Sequence, residues 1–429
     1  MIKTANSVRT MSAICIGNAM EWYDFMIFNY LLLFIAQAYF PSQNDIHSLL
    51  ATMISSGVAL VVRPIGGILL GAWADKRGHH KALMLVFYLM TVATALITLT
   101  PTYAKIGIIA TVLLVGARLL QGLATGGEFG IASSLLAALA PMNKKGLYTS
   151  LQMVGQLLAL ILGSSLCFLL TMTCSEEVLY QYAWRLPFAF GLVILPIAWV
   201  LRRQLQNQGF WRSMKPKSVA LLPLIRRQKG TLVIGLGLVI GCTGSVYTLF
   251  SYMPVFGKKY LHFTLWQAYL GPLVGTTISA LLIPAFGALS DKIGKKQILV
   301  ISLTVYLSLI FPLLSMLNSN PSTEILVLVE SILALCIAAY FGVFTSVLSN
   351  LFPEEGRSTC LAISYNLGVM LFGGFAPFVI TALIEYTKNP MIFTYYLMLA
   401  VSISLFASLF YKEGKQVAKE PQLVDVLAV

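Results

Sequence analysis

Gly71-Ala72-Trp73-Ala74-Asp75-Lys76-Arg77-Gly78 and Gly287-Ala288-Leu289-Ser290-Asp291-Lys292-Ile293-Gly294-Lys295-Lys296 are two versions of one segment. The opening Gly, the Asp and the closing Gly are each displaced by 216 residues. Each copy follows a long apolar run, at about 47–71 and 265–289. A weaker pair repeats at nearly the same interval: Pro141 with Asn143-Lys144-Lys145-Gly146, and Pro353 with Glu354-Glu355-Gly356-Arg357. A repeat of about 210 residues divides the chain into two similar halves.

The rest of the sequence says what the halves are made of. Of 429 residues 58% are hydrophobic and 10% are charged, and the mean hydropathy is +0.82. Soluble domains carry roughly 25% charged residues, so this chain cannot cover a water-facing surface. The same figures exclude a disordered chain and a disulfide-stapled secreted domain. A spanning helix takes about 20 apolar residues. Apolar runs occur at about 11–39, 47–71, 82–100, 106–139, 147–172 and 183–201, then at 231–256, 265–289, 297–317, 323–349, 359–385 and 391–411. They are too long for barrel strands and lack a period of two. The first is not a secretory signal, because Glu21 and Asp24 interrupt it. The expectation is an all-α membrane protein of twelve transmembrane helices in two pseudo-symmetric six-helix halves.

With the N-terminus inside, connections on that side hold 22 of the 29 Lys and Arg, and the opposite side holds five. This places both termini in the cytoplasm. The division expected is a bundle over 1–202, a basic linker over 203–229, a second bundle over 230–411 and a short tail over 412–429. The net charge of +13 belongs to these connections and meets anionic lipid, so nucleic acid is not an expected partner. The six cysteines form no Cys-x-x-Cys pair, and His79-His80 is the one adjacent histidine pair. No metal site and no cofactor are expected. No nucleophile stands with a base and no Gly-Lys-Ser phosphate loop is present, so neither an enzyme nor an ATP-driven pump is indicated.

The duplicated loop resembles the signature of the major facilitator superfamily, Gly-x-x-x-Asp-(Arg/Lys)-x-Gly-(Arg/Lys)-(Arg/Lys), after helices two and eight. The resemblance makes Gly71, Asp75, Lys76, Arg77, Gly78, Gly287, Asp291, Lys292, Gly294 and Lys295 a cytoplasmic gate, with the Asp free to pair with a helix N-terminus or a cation. His79 and His80 depart from the usual basic pair. Gly17-Asn18-Ala19-Met20-Glu21-Trp22-Tyr23-Asp24-Phe25, Arg63-Pro64-Ile65-Gly66-Gly67, Arg118-Leu119-Leu120-Gln121-Gly122 with Gly126-Gly127-Glu128, Trp184-Arg185-Leu186-Pro187-Phe188, Tyr365-Asn366 and Gly373-Gly374 narrow it further. These resemble the metabolite:proton symporter family, whose members take up proline and betaine, oxoglutarate, citrate or shikimate with protons. Phe28 stands where that family usually has Tyr. The resemblance implies proton-coupled uptake by a multi-pass protein of the bacterial inner membrane, acting as a monomer.

A charge at mid-membrane is costly, so each one needs a partner or a cavity. Glu21 and Asp24 share one helix face; they either exchange protons or form a structural pair with a donor such as Arg63. Arg118 and Glu128 stand about 15 Å apart along a regular helix and are not direct partners. The resemblance ties Arg118 to proton coupling and sets Glu128 in a Gly-Gly-Glu element, where Gly126-Gly127 admits a close neighbour such as span one. Asp24, Arg118, Glu128 and Glu21 are the coupling candidates. Tyr23, Arg63, Gln121, Gln152, Gln156, Tyr247, Tyr365 and Asn366 are the substrate candidates, with Gln152 and Gln156 also suited to interhelical bonding. Gly235, Gly237, Gly241 and Gly244 suggest a bending span seven, and Tyr252 a belt residue near its outer end. Glu330, two turns inside span ten, reads as a snorkelling or locally paired residue. The arginines attract a carboxylate and the acids an amine, so a small carboxylate and a zwitterion both stay open. An exporter or uniporter of the same fold and a non-transporting receptor are the alternatives to symport.

Overall fold

A computed structural model of the chain describes residues 4–77, 79–126, 128–192, 221–353 and 356–413; the side chains of 4–14, 21, 71–84 and 128 are among those lying outside the description. The linker expected at 203–229 falls mostly outside it as well, as do residues 193–201 of span six and most of the tail.

In the first half, α1 (Thr4–Tyr30) and α2 (Leu32–Tyr39) form one span bent by 66° at Leu31. They are followed by α3 (Asp45–Arg77), α4 (His79–Leu99), α5 (Ile108–Thr125) with α6 (Glu128–Leu139), and α7 (Lys145–Thr173). The second half has α8 (Leu221–Ser245), a π-helical segment at Val246–Tyr252, and α9 (Met253–Tyr260) as one span. Then come α10 (Leu265–Ile293), α11 (Lys295–Ser319) and α12 (Thr323–Leu351). The eleventh span is α13 (Arg357–Val369), a π segment at Met370–Gly374 and α14 (Ala376–Thr387), and the last is α15 (Ile392–Phe410). Among the described residues nine helices are long and apolar enough to cross a bilayer, ten with the bent α1–α2 pair. Span three appears as the shorter apolar helix Tyr88–Leu99 within α4, and the sixth apolar run continues beyond the described residues.

Helices α7, α10 and α12 have 29 residues each, about 43 Å at 1.5 Å per residue, so they outrun a hydrocarbon layer of about 30 Å. Starts are defined locally. Thr264 and Gln267 make a capping box at α10, and the Ser322 hydroxyl accepts from the Ile325 amide at α12. Lipid supplies no hydrogen bonds, so α8 and α15 are joined by Ser404, whose hydroxyl donates to the Gly237 carbonyl at 2.6 Å.

Small residues set the closest crossing. Side-chain atoms at Gly66, Gly122 and Gly126 would run into the carbonyls of Leu123, Ala59 and Arg63, so α3 and α5 touch backbone to backbone. The partner at Gly126 is thus span two, not the span-one neighbour suggested by sequence, because α1 lies along α7 instead. The glycines of span seven also differ from expectation. Gly237, Gly241 and Gly244 receive Ala407, Ser404 and Ala400 of α15, and the helix departs from regularity only beyond them. That π segment is the repeat counterpart of the span-one bend, since Tyr247 follows Leu31 by the same 216 residues. The first span of each half is thus interrupted at an equivalent position, which brings irregular backbone together between the halves, and π-helical turns commonly serve function.

Candidate functional site

The buried polar groups gather where the halves meet. Arg118 of α5 is completely buried. Its Nη1 donates to Gln121 Oε1 at 2.7 Å and its Nη2 to Ser56 Oγ at 3.1 Å, while Ser56 donates to Asn29 Oδ1 at 2.6 Å. The guanidinium lies over the rings of Phe25 and Phe28, 4.4 and 4.1 Å from their centroids. Phe28 therefore supplies a π face to the cation where a Tyr would add a hydroxyl. Among the described residues no carboxylate comes within ion-pair distance of Arg118. Asp24 connects to the set indirectly: Thr94 donates to its Oδ2 at 3.1 Å, and Gln121 Nε2 lies 3.4 Å from the Thr94 hydroxyl.

Arg63 of α3 is also buried, with Nη2 donating to the Thr125 carbonyl at 3.3 Å and its guanidinium 5.8 Å from both the Trp22 and Phe25 rings. Tyr247, from the π segment of the other half, stands in the field of both guanidiniums. Its hydroxyl, the Nε groups of Arg63 and Arg118, and both side-chain polar atoms of Gln152 have no hydrogen-bond partner among the described residues. Buried donors are nearly always satisfied, so these groups hold hydrogen-bonding capacity that a polar partner could take up.

Contacts close the interface at both ends. At the basic end, where Lys145, Lys292 and Lys295 lie, Asp291 accepts from the Gly146 and Leu147 amides at 2.7 and 3.1 Å. The second signature Asp thereby caps the first turn of α7 across the halves, one of the two pairings expected of it. Gly287 and Gly146 are packed together beside it. Further inward Ser358 donates to Ser134 at 2.9 Å and Asn366 to the Gly126 carbonyl at 2.6 Å. Tyr365 stacks on Phe129 at 3.6 Å, meets Trp22 edge-on at 6.5 Å and receives Gln156 Nε2 at 3.3 Å. At the far end Tyr269 donates to the Tyr30 carbonyl at 2.5 Å, and Lys258 pairs with Glu176 at 2.7 Å. Replacing Asp291 with Asn is expected to weaken the basic-end closure by about 1 kcal/mol, since it removes a charge from a helix N-terminus. The measurement is the alkylation rate of a cysteine placed at Ser134, about fivefold faster in Asp291→Asn; an unchanged rate would contradict the capping role.

Of the sequence candidates, Arg63, Arg118, Gln121, Gln152, Gln156, Tyr247, Tyr365 and Asn366 are brought to this interface, and Asp24 borders it through Thr94. Tyr23 turns away: its hydroxyl donates to the Pro187 carbonyl at 2.7 Å and its ring meets Phe190, both at the start of span six. The side chains of Glu21 and Glu128, and of the first signature copy at Gly71, Asp75, Lys76, Arg77 and Gly78, lie outside the described residues. Tyr252 is buried and bonded to Thr381 at 2.5 Å rather than set in an interfacial belt. Glu330 neither snorkels nor pairs: it is 0% exposed and both its oxygens lack a partner among the described residues. Asn29, Ser56, Thr94 and Phe129 were not predicted. Isolated polar residues in apolar runs were the available signal for the first three, and none was available for Phe129.

Membrane-length helices in two repeated halves, with a buried, charged polar set where the halves meet, describe a multi-pass membrane protein, and its relatives make it a transporter. Family profiles described as "Sugar (and other) transporter" and "Major Facilitator Superfamily" match residues 10–203 and 274–425. A citrate-proton symporter of Klebsiella pneumoniae is 32% identical over 97% of this chain and 95% of its own length. An alpha-ketoglutarate permease of Escherichia coli is 32% identical over 93% and 92%, and a proline/betaine transporter of the same species 28% identical over 94% and 83%. Among solved structures, the xylose transporter XylE of Escherichia coli shares the fold with a TM-score of 0.73 at 17% identity, over 96% of this chain and 99% of that one. The chain belongs to the major facilitator superfamily.

Proposed function

We propose that this protein is a proton-coupled symporter that carries a small di- or tricarboxylate into the cell by alternating access. The observation carrying the substrate class is the pair of buried arginines, Arg63 and Arg118, near Tyr247, with no carboxylate at ion-pair distance and no partner for either Nε, for the Tyr247 hydroxyl or for the buried Gln152 amide among the described residues. An uncompensated buried charge is strongly unfavourable, and an anionic substrate supplies the missing partner. Relatives named for citrate and alpha-ketoglutarate support the same reading. In it, Arg63, Gln152, Gln156 and Tyr247 contact substrate, Tyr365 and Asn366 close the basic side, and Asp24, Arg118 and Gln121 link substrate to the proton, together with Glu21 and Glu128. The basic end is the cytoplasmic one, both termini lie there, and the membrane is the bacterial inner membrane. The bundles over 1–202 and 230–411 act as a monomeric pair joined by the basic linker, with lipid around exposed side chains such as Ile68, Val112, Leu281 and Phe406.

The test is uptake into proteoliposomes under an imposed inward proton gradient, with citrate, oxoglutarate, proline and betaine as probes. Gradient-stimulated accumulation of the carboxylates, and not of the zwitterions, is expected. Accumulation of the zwitterions alone would overturn the substrate class. Binding without flux would indicate a receptor, and efflux without accumulation an exporter.

A further inference from the structure

The proton-coupling candidates so far stand in the first half, yet a completely buried carboxylate sits in the second. Glu330 lies on α12, and the room that a side chain at Gly275 of α10 would need is occupied by its Oε2 and the Phe250 ring. At Gly271 the neighbours are Leu326 and the Glu330 stem. Two glycines thus make the space for this carboxyl group, and neither oxygen finds a donor among the described residues.

Its position is also set by the repeat. Pro353 follows Pro141 by 212 residues, and Glu330 follows Arg118 by the same 212. From each charged residue to the end of its span, Leu139 in α6 and Leu351 in α12, there are 21 positions. One half places a permanent cation at this height and the other a group that gains or loses a proton. The two sites are chemically distinct. Arg118 rests on aromatic faces and hydrogen-bond acceptors, whereas Glu330 sits against Gly271, Gly275, Leu326 and Phe250.

Ionisable side chains face Glu330 from the surrounding elements. They are Tyr306 of α11 and Tyr30 of α1, with Tyr269 of α10 and Cys167 of α7 beside Tyr30, and Cys242 of α8 and Cys336 of α12 beside Tyr306. All are tyrosines or thiols that are neutral at physiological pH, and no cation is among them. The contact that shuts the far end, Tyr269 to the Tyr30 carbonyl, lies two residues before Gly271 on α10. An ionised carboxylate sealed beneath that contact would have neither water nor a counter-ion.

We propose that Glu330 is a second proton-binding site: its carboxylate takes a proton from the outer solution, and the far end closes only over the neutral acid. Opening of the opposite, basic end hydrates the carboxyl group and lets the proton leave to the cytoplasm, so closure and protonation are linked. This rests on the symport reading above, and the experiment separates the two. Spin labels on Glu177→Cys and His262→Cys, with Cys15 and Cys174 replaced by Ser, report the far-end distance in proteoliposomes without substrate. In the otherwise unchanged protein the closed population is expected to grow as pH falls. In Glu330→Gln the closed population should be high and independent of pH without substrate, while citrate still opens the far end, so that gradient-driven citrate accumulation falls at least tenfold and citrate exchange stays within twofold. Glu330→Asp, which retains the acid, should keep accumulation and shift the pH midpoint of closure. The proposal is overturned if Glu330→Gln shows the parent's pH response, if it loses exchange along with accumulation, or if Glu330→Asp leaves the midpoint unmoved. Failure of the parent to accumulate any probe would strike the symport reading alone, because the distance measurement needs no substrate.

Discussion

Replacing Arg118 with Lys is expected to reduce gradient-driven uptake at least 100-fold while leaving a folded protein. The guanidinium reaches Gln121 and Ser56 in two directions at once and lies flat across Phe25 and Phe28. An ammonium is a point charge that can follow only part of this geometry, and it is more strongly hydrated. Hydrogen bonds to a charged group contribute about 1.5–3 kcal/mol each and a desolvated cation–π contact about 2 kcal/mol, so losing two or three of these accounts for the expected rate. Arg118→Met separates transport from folding. It removes a buried charge that has no carboxylate at ion-pair distance among the described residues, which tends to be neutral or stabilising. The expected pairing is an unchanged or higher Tm in detergent with no gradient-driven uptake. Retained accumulation in Arg118→Met would remove Arg118 from the coupling machinery.

The largest effect on folding is expected at Gly122. A Cβ there would strike the Ala59 carbonyl, a backbone atom that cannot rotate aside, so valine must push α3 and α5 apart. Overpacking a close crossing costs typically 1–3 kcal/mol and more where the backbone has to move. The same displacement would disturb Ser56 and Arg63 on α3 relative to Arg118 on α5. Gly116, six residues earlier on α5, has nothing within 4 Å of a built Cβ and serves as the control. Monodisperse protein should largely disappear from size-exclusion profiles of Gly122→Val and persist for Gly116→Val. Equal yields and equal Tm values for the two would show that the crossing is not as tight as described.

Both expectations depend on features that differ in how far they can be read from sequence. Arg118 is conspicuous as a charge within an apolar run, whereas its aromatic support is not, because Phe25 and Phe28 look like ordinary core residues until α1 is set beside α5. The signature Asp291 offered two partners, a cation or a helix end, and the choice of the α7 amides came from how the halves dock. Gly126 was legible as a close-approach residue, but which helix approaches was not. Glu330 was misread for a related reason: two turns from a helix end, a carboxylate normally reaches water, and only the closure of α10 and α1 over it removes that route.

The sequence by itself determined the solvent, the number of spans, their duplication and the face on which the cations lie. Each of these follows from hydrophobic length, local charge and a repeat interval, quantities that do not depend on distant contacts. Only the tertiary structure decided which polar groups share a site, which of them are paired, and that both ends of the interface are closed. Those outcomes arise from side chains 60 to 240 positions apart meeting across helix crossings, such as Arg118 with Ser56 and Asn366 with the Gly126 carbonyl. A linear pattern carries the face of each helix but not the face that will oppose it.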